Sequence, residues 1–277
     1  MFSYIQSWLE DPKATLIFFL LAFPGRILAL SAHEYAHARV ADRCGDPTAR
    51  MMGRMTLNPF AHLDPLGTVM MLLLGFGWAK PVPVNPRNYR NYRRDDLKVS
   101  LAGIAANLLF FFIGTILMYA LLVIAWYRLP AAASGDCFRS VYDGAQALFT
   151  SNGDGYYYLY AGDLLRNAPY IGEYLIAPVF GSTVRYLYDM IGYFVITNFV
   201  LAVFNLLPVP PLDGYHVFND LLLRRRKLFA DPKVARICYG VVMALCLTGL
   251  LGKGLSWLDT QAFNGLGTLV GRLTGML

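Results

Sequence analysis

The sequence predicts an all-α polytopic membrane protein of about four to five transmembrane helices, with a re-entrant segment near residues 66–86. Three observations carry this reading. Of 277 residues, 56% are hydrophobic and only 15% charged, the profile of an integral membrane chain rather than of a soluble enzyme. Four apolar runs, Ala14–Ala41, Val99–Trp126, Val184–Leu207 and Val234–Leu251, are compatible with the ~20 residues that a bilayer core requires. The basic residues gather in short loops between those runs. The net charge of +6 therefore reports membrane topology, which excludes nucleic acid as a partner and leaves the lipid bilayer.

Each element follows in order. The N-terminal stretch MFSYIQSWLEDPK has no basic n-region, so the first run is expected to be a retained span rather than a removed signal peptide. Pro24-Gly25 predicts a kink in it, and Arg26, about two turns before His33, either faces a polar vestibule or snorkels. The run Leu66–Ala79 is too short and too glycine-interrupted to cross. Irregular backbone at membrane depth is tolerated only against protein or a water-filled cavity, so this run is expected to enter and leave on one side.

Arg43, Arg50, Arg54, Lys80, Arg87, Arg90, Arg93, Arg94 and Lys98 then share a side with Arg224, Arg225, Arg226, Lys227 and Lys233. The opposite side holds Lys13, Arg128, Arg139 and Arg166. The positive-inside rule makes the first side cytoplasmic and the N-terminus external. On this topology residues 1–277 form a single domain with an extracytoplasmic loop insertion at 128–183, a stretch that carries no motif. The four cysteines include no CxxC and imply no disulfide framework. Gly267, Gly271 and Gly275, at four-residue spacing, suit either a helix-packing face or a surface helix.

The chemistry begins at His33-Glu34-Tyr35-Ala36-His37, near the end of the first run. Histidines four apart on a helix project from one face and suit a single zinc ion; the glutamate beside the first can take a proton from metal-bound water. The chain has only four histidines and three glutamates, so the pattern is not a by-product of composition. A catalytic zinc takes a third protein ligand. Asp213 is the best placed, because Pro208, Pro210 and Pro211 end the third run at the same cytoplasmic boundary. The same aspartate would alternatively cap an amphipathic helix Tyr215–Leu223. His216 and His62 compete with it as ligands.

The motifs together resemble the site-2 protease family of intramembrane zinc metalloproteases, in its compact bacterial branch without a PDZ domain. The resemblance rests on HExxH within a first membrane segment paired with Asn205-Leu206-Leu207-Pro208-Val209-Pro210-Pro211-Leu212-Asp213-Gly214. Gly45-Asp46-Pro47-Thr48-Ala49, His62-Leu63-Asp64-Pro65-Leu66-Gly67-Thr68 and Gly77-Trp78-Ala79-Lys80-Pro81-Val82-Pro83-Val84-Asn85-Pro86 add to it. The resemblance implies one Zn2+ per chain held by His33, His37 and Asp213, with Glu34 as general base and Asn205 helping to position or stabilise the reacting carbonyl. It implies cleavage of peptide bonds in or next to transmembrane segments, with a single-pass membrane protein as substrate, in a multi-pass protein of the inner cell membrane whose active site lies near the cytoplasmic face. One departure is Ile104, where the family usually has proline after the glycine of Leu101-Ala102-Gly103. A zinc-binding membrane transporter or sensor, or an inactive protease-like scaffold, would use the same ligands without a base. The sequence leaves the oligomeric state open.

Overall fold

The structure is a computed structural model describing residues 2–75, 77–129, 137–142, 145–151, 156–221 and 232–277. In chain order its elements are α1 (Phe2–Glu10), α2 (Pro12–Cys44), α3 (Thr48–Met51), α4 (Pro65–Leu74), α5 (Tyr92–Arg128), β1 (Cys137–Tyr142), β2 (Ala145–Ser151), β3 (Tyr156–Tyr160), α6 (Ala161–Arg166), α7 (Ala177–Phe180), α8 (Ser182–Asn205), α9 (Asp213–Leu221), α10 (Pro232–Thr248) and α11 (Leu250–Thr274). The helices α2, α5 and α8 are each long and apolar enough to cross a membrane, as the first three runs predict. The fourth run is interrupted at Gly249, where φ is 77°, and its pieces Arg236–Cys246 and Leu250–Thr274 count together as a fourth candidate span. The expected all-α polytopic architecture is therefore present with three to four spans among the described residues. The basic cluster Arg224–Lys227 lies outside the described residues. The chain divides into two compact units, Met1–Phe110 with Thr197–Leu255, and Phe111–Ile196 with Ser256–Leu277.

In the first unit α2 is bounded by local chemistry at both ends. Asp11 accepts a hydrogen bond from the Ala14 N–H (2.9 Å), Pro12 occupies the first helical position, and Gly45 closes the helix in the left-handed region at φ 109°. Its inward face is built from alanines: Ala22, Ala29, Ala32, Ala38 and Ala41 are all buried. Small residues let neighbouring backbones approach closely, which is how helices associate where lipid removes the hydrophobic driving force. Arg26 stacks its guanidinium over Phe18 of the same helix, 5.6 Å from the ring centroid.

The short apolar run folds back on itself. Asp64 caps α4 by accepting from the Gly67 N–H (2.7 Å), and Gly75 ends it at φ 72°. Leu63 and Ala79 then pair as an antiparallel bridge, and the Lys80 N–H donates to the His62 carbonyl at 2.8 Å. Ten helical residues span about 15 Å, half a bilayer core, so a run whose ends lie side by side does not cross. Of the three glycines that interrupt it, Gly67 and Gly77 make the close return possible. A Cβ on Gly67 would overlap the Trp78 carbonyl, and one on Gly77 would overlap the carbonyl of Gly67.

From Lys80 to Arg90 the chain runs along α2 as a strap. Val82 packs with Ala38 and Ala49, Arg54 donates to the Lys80 carbonyl (2.8 Å), and the Arg90 N–H donates to the Cys44 carbonyl at 3.0 Å. The fully buried Asp46 fastens the strap's far end. It accepts from the Asn85 N–H (2.6 Å), the Asn88 amide (2.8 Å), and both the N–H and the hydroxyl of Thr48.

In the second unit the stretch left blank by the sequence motifs carries a three-stranded antiparallel sheet of order β1-β2-β3. Its aromatic residues suit a pleated surface: across strands Phe138 stacks on Phe149 (4.5 Å), and Tyr158 meets Phe149 edge to face (4.6 Å). The sheet is stapled to α5 through Trp126, whose indole N–H donates to Gln146 (2.9 Å) and whose carbonyl accepts from Arg139 (2.7 Å). Gly267 and Gly271 on α11 are buried where a Cβ would meet Leu165, Leu277 or their backbone, so they form a packing face. Gly275 instead ends the helix at φ 70°.

Burial alone would raise the Asp46 carboxyl, but its four donors hold it below its ordinary value of 3.8. A carboxyl depressed in the folded state contributes stability above that value, and the contribution disappears as pH falls through the folded one. Asp46→Asn is therefore expected to lower stability at pH 7 by roughly 1–3 kcal/mol, the worth of hydrogen bonds to a charged group. The difference in thermal midpoint from the unsubstituted protein should shrink as the pH is taken below 3.8. Equal midpoints at pH 7 would show that the clamp contributes nothing.

Candidate metal centre

His33 and His37 lie on the buried face of α2, one turn apart. Their Nε2 atoms are 3.0 Å from each other, and each is 3.2 Å from Oδ2 of Asp213. The three side chains form a group whose potential ligand atoms all lie within 4.8 Å of one another. The opposite ring nitrogens fix what those atoms are. Nδ1 of His33 faces Oδ1 of Asn107 (2.6 Å), and Nδ1 of His37 faces the Val99 carbonyl (2.7 Å). Both partners are acceptors, so each Nδ1 carries the proton and donates, and each Nε2 turns a lone pair toward the carboxylate.

Asn107 is itself held by the Asn198 side chain and the Ala29 carbonyl, to which its amide donates at 2.9 and 3.4 Å, and both asparagines are completely buried. Three lone-pair atoms at this spacing repel one another unless a cation or proton sits among them. Tetrahedral zinc with bonds of ~2.0–2.1 Å sets its ligand atoms roughly 3.3 Å apart, so the donor set fits that ion in both chemistry and spacing.

Asp213 reaches this point because α9 begins with it, directly after the Pro208–Pro211 turn that ends α8. Gly214 is essential to the approach, since a Cβ there would overlap the backbone of Leu206 and Leu207. Gly103 is equally constrained. It lies on α5 where a Cβ would collide with Nε2 of His37 and with the His33 ring, so α5 covers the imidazoles at backbone distance. Glu34, half-buried beside His33, accepts a hydrogen bond through Oε2 from the Val82 N–H at 2.7 Å. Pro81 and Pro83 have no N–H, so Val82 is the single backbone donor of that tripeptide, and it is spent on Glu34.

The competing histidines lie elsewhere. Nε2 of the buried His62 bonds the Thr56 carbonyl (2.7 Å), and Nδ1 of His216 lies 3.3 Å from Asp96, which raises the His216 imidazole despite its burial. Asn205 donates to the Leu201 carbonyl of its own helix at 3.0 Å and has no contact with the three donors among those described. The residues that motif reading passes over are Gly103, Asn107 and Asn198. A readable signal was present: an asparagine inside an apolar span is costly and is kept there by a partner.

A polytopic helical chain with two imidazoles and a carboxylate converging beside a glutamate is the arrangement of a membrane-embedded metallopeptidase. The chain belongs to peptidase family M50, the site-2 protease family, whose match covers residues 19–249. It is 34% identical over 197 residues to the Bacillus subtilis (strain 168) protein named "Putative zinc metalloprotease YwhC", covering 71% of this chain and 66% of that one. It is 28% identical over 202 residues to "Putative zinc metalloprotease Rip2" of Mycolicibacterium smegmatis, covering 71% of this chain and 55% of that one. The chain thus spans under two thirds of the length of these relatives. No solved structure matches it.

Asp213→Ala is expected to reduce bound zinc well below one per chain. His62→Ala, which removes a buried ring and its loop hydrogen bond away from the donors, should leave it unchanged. Metal analysis of the purified variants checks both. Loss of zinc from the His62 variant with retention in the Asp213 variant would reverse the assignment.

Proposed function

We propose that this chain is an intramembrane zinc protease that hydrolyses peptide bonds in or beside the membrane-spanning segments of other membrane proteins, single-pass proteins foremost. The observation that carries the reading is the convergence of His33, His37 and Asp213 beside Glu34, on a helix long and apolar enough to span. His33 lies eleven residues, about 16 Å of helix, before the end of α2, which puts the donors below the level at which that helix terminates.

In this reading one zinc ion is held by the three donors, and residues 1–277 act as one metalloprotease domain. Zinc bound there supplies Lewis acidity toward a carbonyl and a lowered pKa for water. Glu34 accepts the proton of the attacking water and returns it to the leaving amine. The Val82 N–H fixes one carboxylate oxygen of Glu34 and so sets the rotamer from which the proton moves. The side-chain amide of Asn205 suits a developing oxyanion once it leaves the Leu201 carbonyl. A substrate helix must unwind before its carbonyls are available, because a helix keeps them in hydrogen bonds. The distribution of basic residues supports a location in the inner cell membrane with the site near the cytoplasmic face.

Glu34→Gln is expected to lower cleavage at least ~100-fold, the usual range for removing a general base, while zinc stays bound. Comparative membrane proteomics of cells carrying each form should show single-pass proteins accumulating uncut with the variant. Identical proteomes would count against proteolysis.

For topology, single cysteines are placed in a background without the native four. One at Asn91 should react with a membrane-impermeant thiol reagent only after the membrane is opened, and one at the exposed Tyr157 should react in intact cells. Labelling of both from outside would exclude a cytoplasmic site.

A further inference from the structure

The donors come from α2 and α9, far apart in the chain, yet one stripe of α5 touches everything that holds them. Asn107 accepts from Nδ1 of His33, Val99 accepts from Nδ1 of His37, and Gly103 lies against both rings. One and two turns earlier, the same helix grips α9. The Arg93 guanidinium donates twice to the Asp220 carbonyl, at 3.1 and 2.7 Å, near the end of the described part of α9. The buried Asp96 pairs with His216 near the middle of α9 at 3.3 Å. Residues 93, 96, 99, 103 and 107 fall within about a third of the helix circumference at 100° per residue.

At its other end α9 is pressed by Gly214 against the backbone that leaves α8. Its described part, nine residues, is marginal as an isolated helix, so its contacts set its position.

We propose that this stripe of α5 is the template that registers the three donors, and that Arg93 and Asp96 are positioning residues for Asp213, which they hold at the metal site through α9. Neither touches the donor atoms. Their effect is to keep the carboxylate oxygen at ligand distance from two imidazoles that the same helix has already oriented. The inference rests on Asp213 being the third zinc ligand, which Asp213→Ala tests in the same series.

The test uses the full chain purified in detergent and loaded with zinc, with release to excess EDTA followed over time, and parallel samples loaded with cobalt for their visible spectra. Arg93→Ala and Asp96→Ala are expected to release zinc on the order of tenfold faster or more, the usual effect of losing residues that orient metal ligands, and to shift the cobalt bands. Asp96→Asn, which still offers His216 an oxygen acceptor, should release zinc close to the unsubstituted rate. Asp46→Asn, which weakens the fold away from the donors, should leave release unchanged.

Release from the Arg93 and Asp96 variants at the unsubstituted rate, while Asp213→Ala loses zinc, would overturn the template and leave the third-ligand reading standing. Equal acceleration in Asp46→Asn would reduce the effect to general loss of stability and also overturn it. If Asp213→Ala itself holds zinc normally, the ligand reading fails first. Should Arg93→Ala not fold, the contrast between Asp96→Ala and Asp96→Asn decides the matter.

Discussion

Two imidazole nitrogens and a carboxylate oxygen meet at 3.0–3.2 Å, each directing a lone pair at the others. In water such an arrangement would disperse at once. Here it is buried among helices, where separating the atoms would mean breaking packed backbone. Much of the first unit is a set of restraints on that unfavourable contact. The alanine face of α2 lets α5 approach, Gly103 removes the last side chain in the way, and Asn107 and Val99 each accept a hydrogen bond that keeps the proton on Nδ1. A donor set held this way is preorganised for a cation.

The glutamate is governed by a different device. Glu34 projects from the same helix as its neighbouring histidine, so its position along α2 is given, but its rotamer is not. The strap from Lys80 to Arg90 supplies the missing constraint with the Val82 N–H, and prolines on either side of Val82 leave that donor without competitors. Asp46 holds the strap's other end to the loop that leaves α2. The hairpin before the strap fixes its near end, because its glycine-lined return brings Trp78 and Ala79 back beside the residues where it began.

How much of this was legible depends on how each residue acts. His33, Glu34 and His37 are contiguous and chemically explicit, and a helix converts their spacing into one face, so the sequence suffices. Asp213 is legible because three prolines mark the end of a span and charge asymmetry places that end beside the first motif. The failure of Leu66–Ala79 to cross follows from length and glycine alone.

Gly103 escapes because it works by having no side chain, and Asn107 because the imidazole from which it accepts a hydrogen bond lies 74 residues away. The grip of Arg93 on α9 is invisible for the same reason: its target is a backbone carbonyl, which every residue has. The three-stranded sheet carries no motif, and its aromatic pairing becomes evident only once register is known.

His33 and His37 leave the ribosome with the first long helix, whereas Asp213 follows 176 residues after His37 (213 − 37). Until then the N-terminal helices enter the bilayer with two donors and no third. The chain therefore cannot complete its metal centre during most of its own synthesis, nor while partly inserted beside other nascent membrane segments. On the proposed function, competence to cut arrives only after the helix before Asp213 has been made.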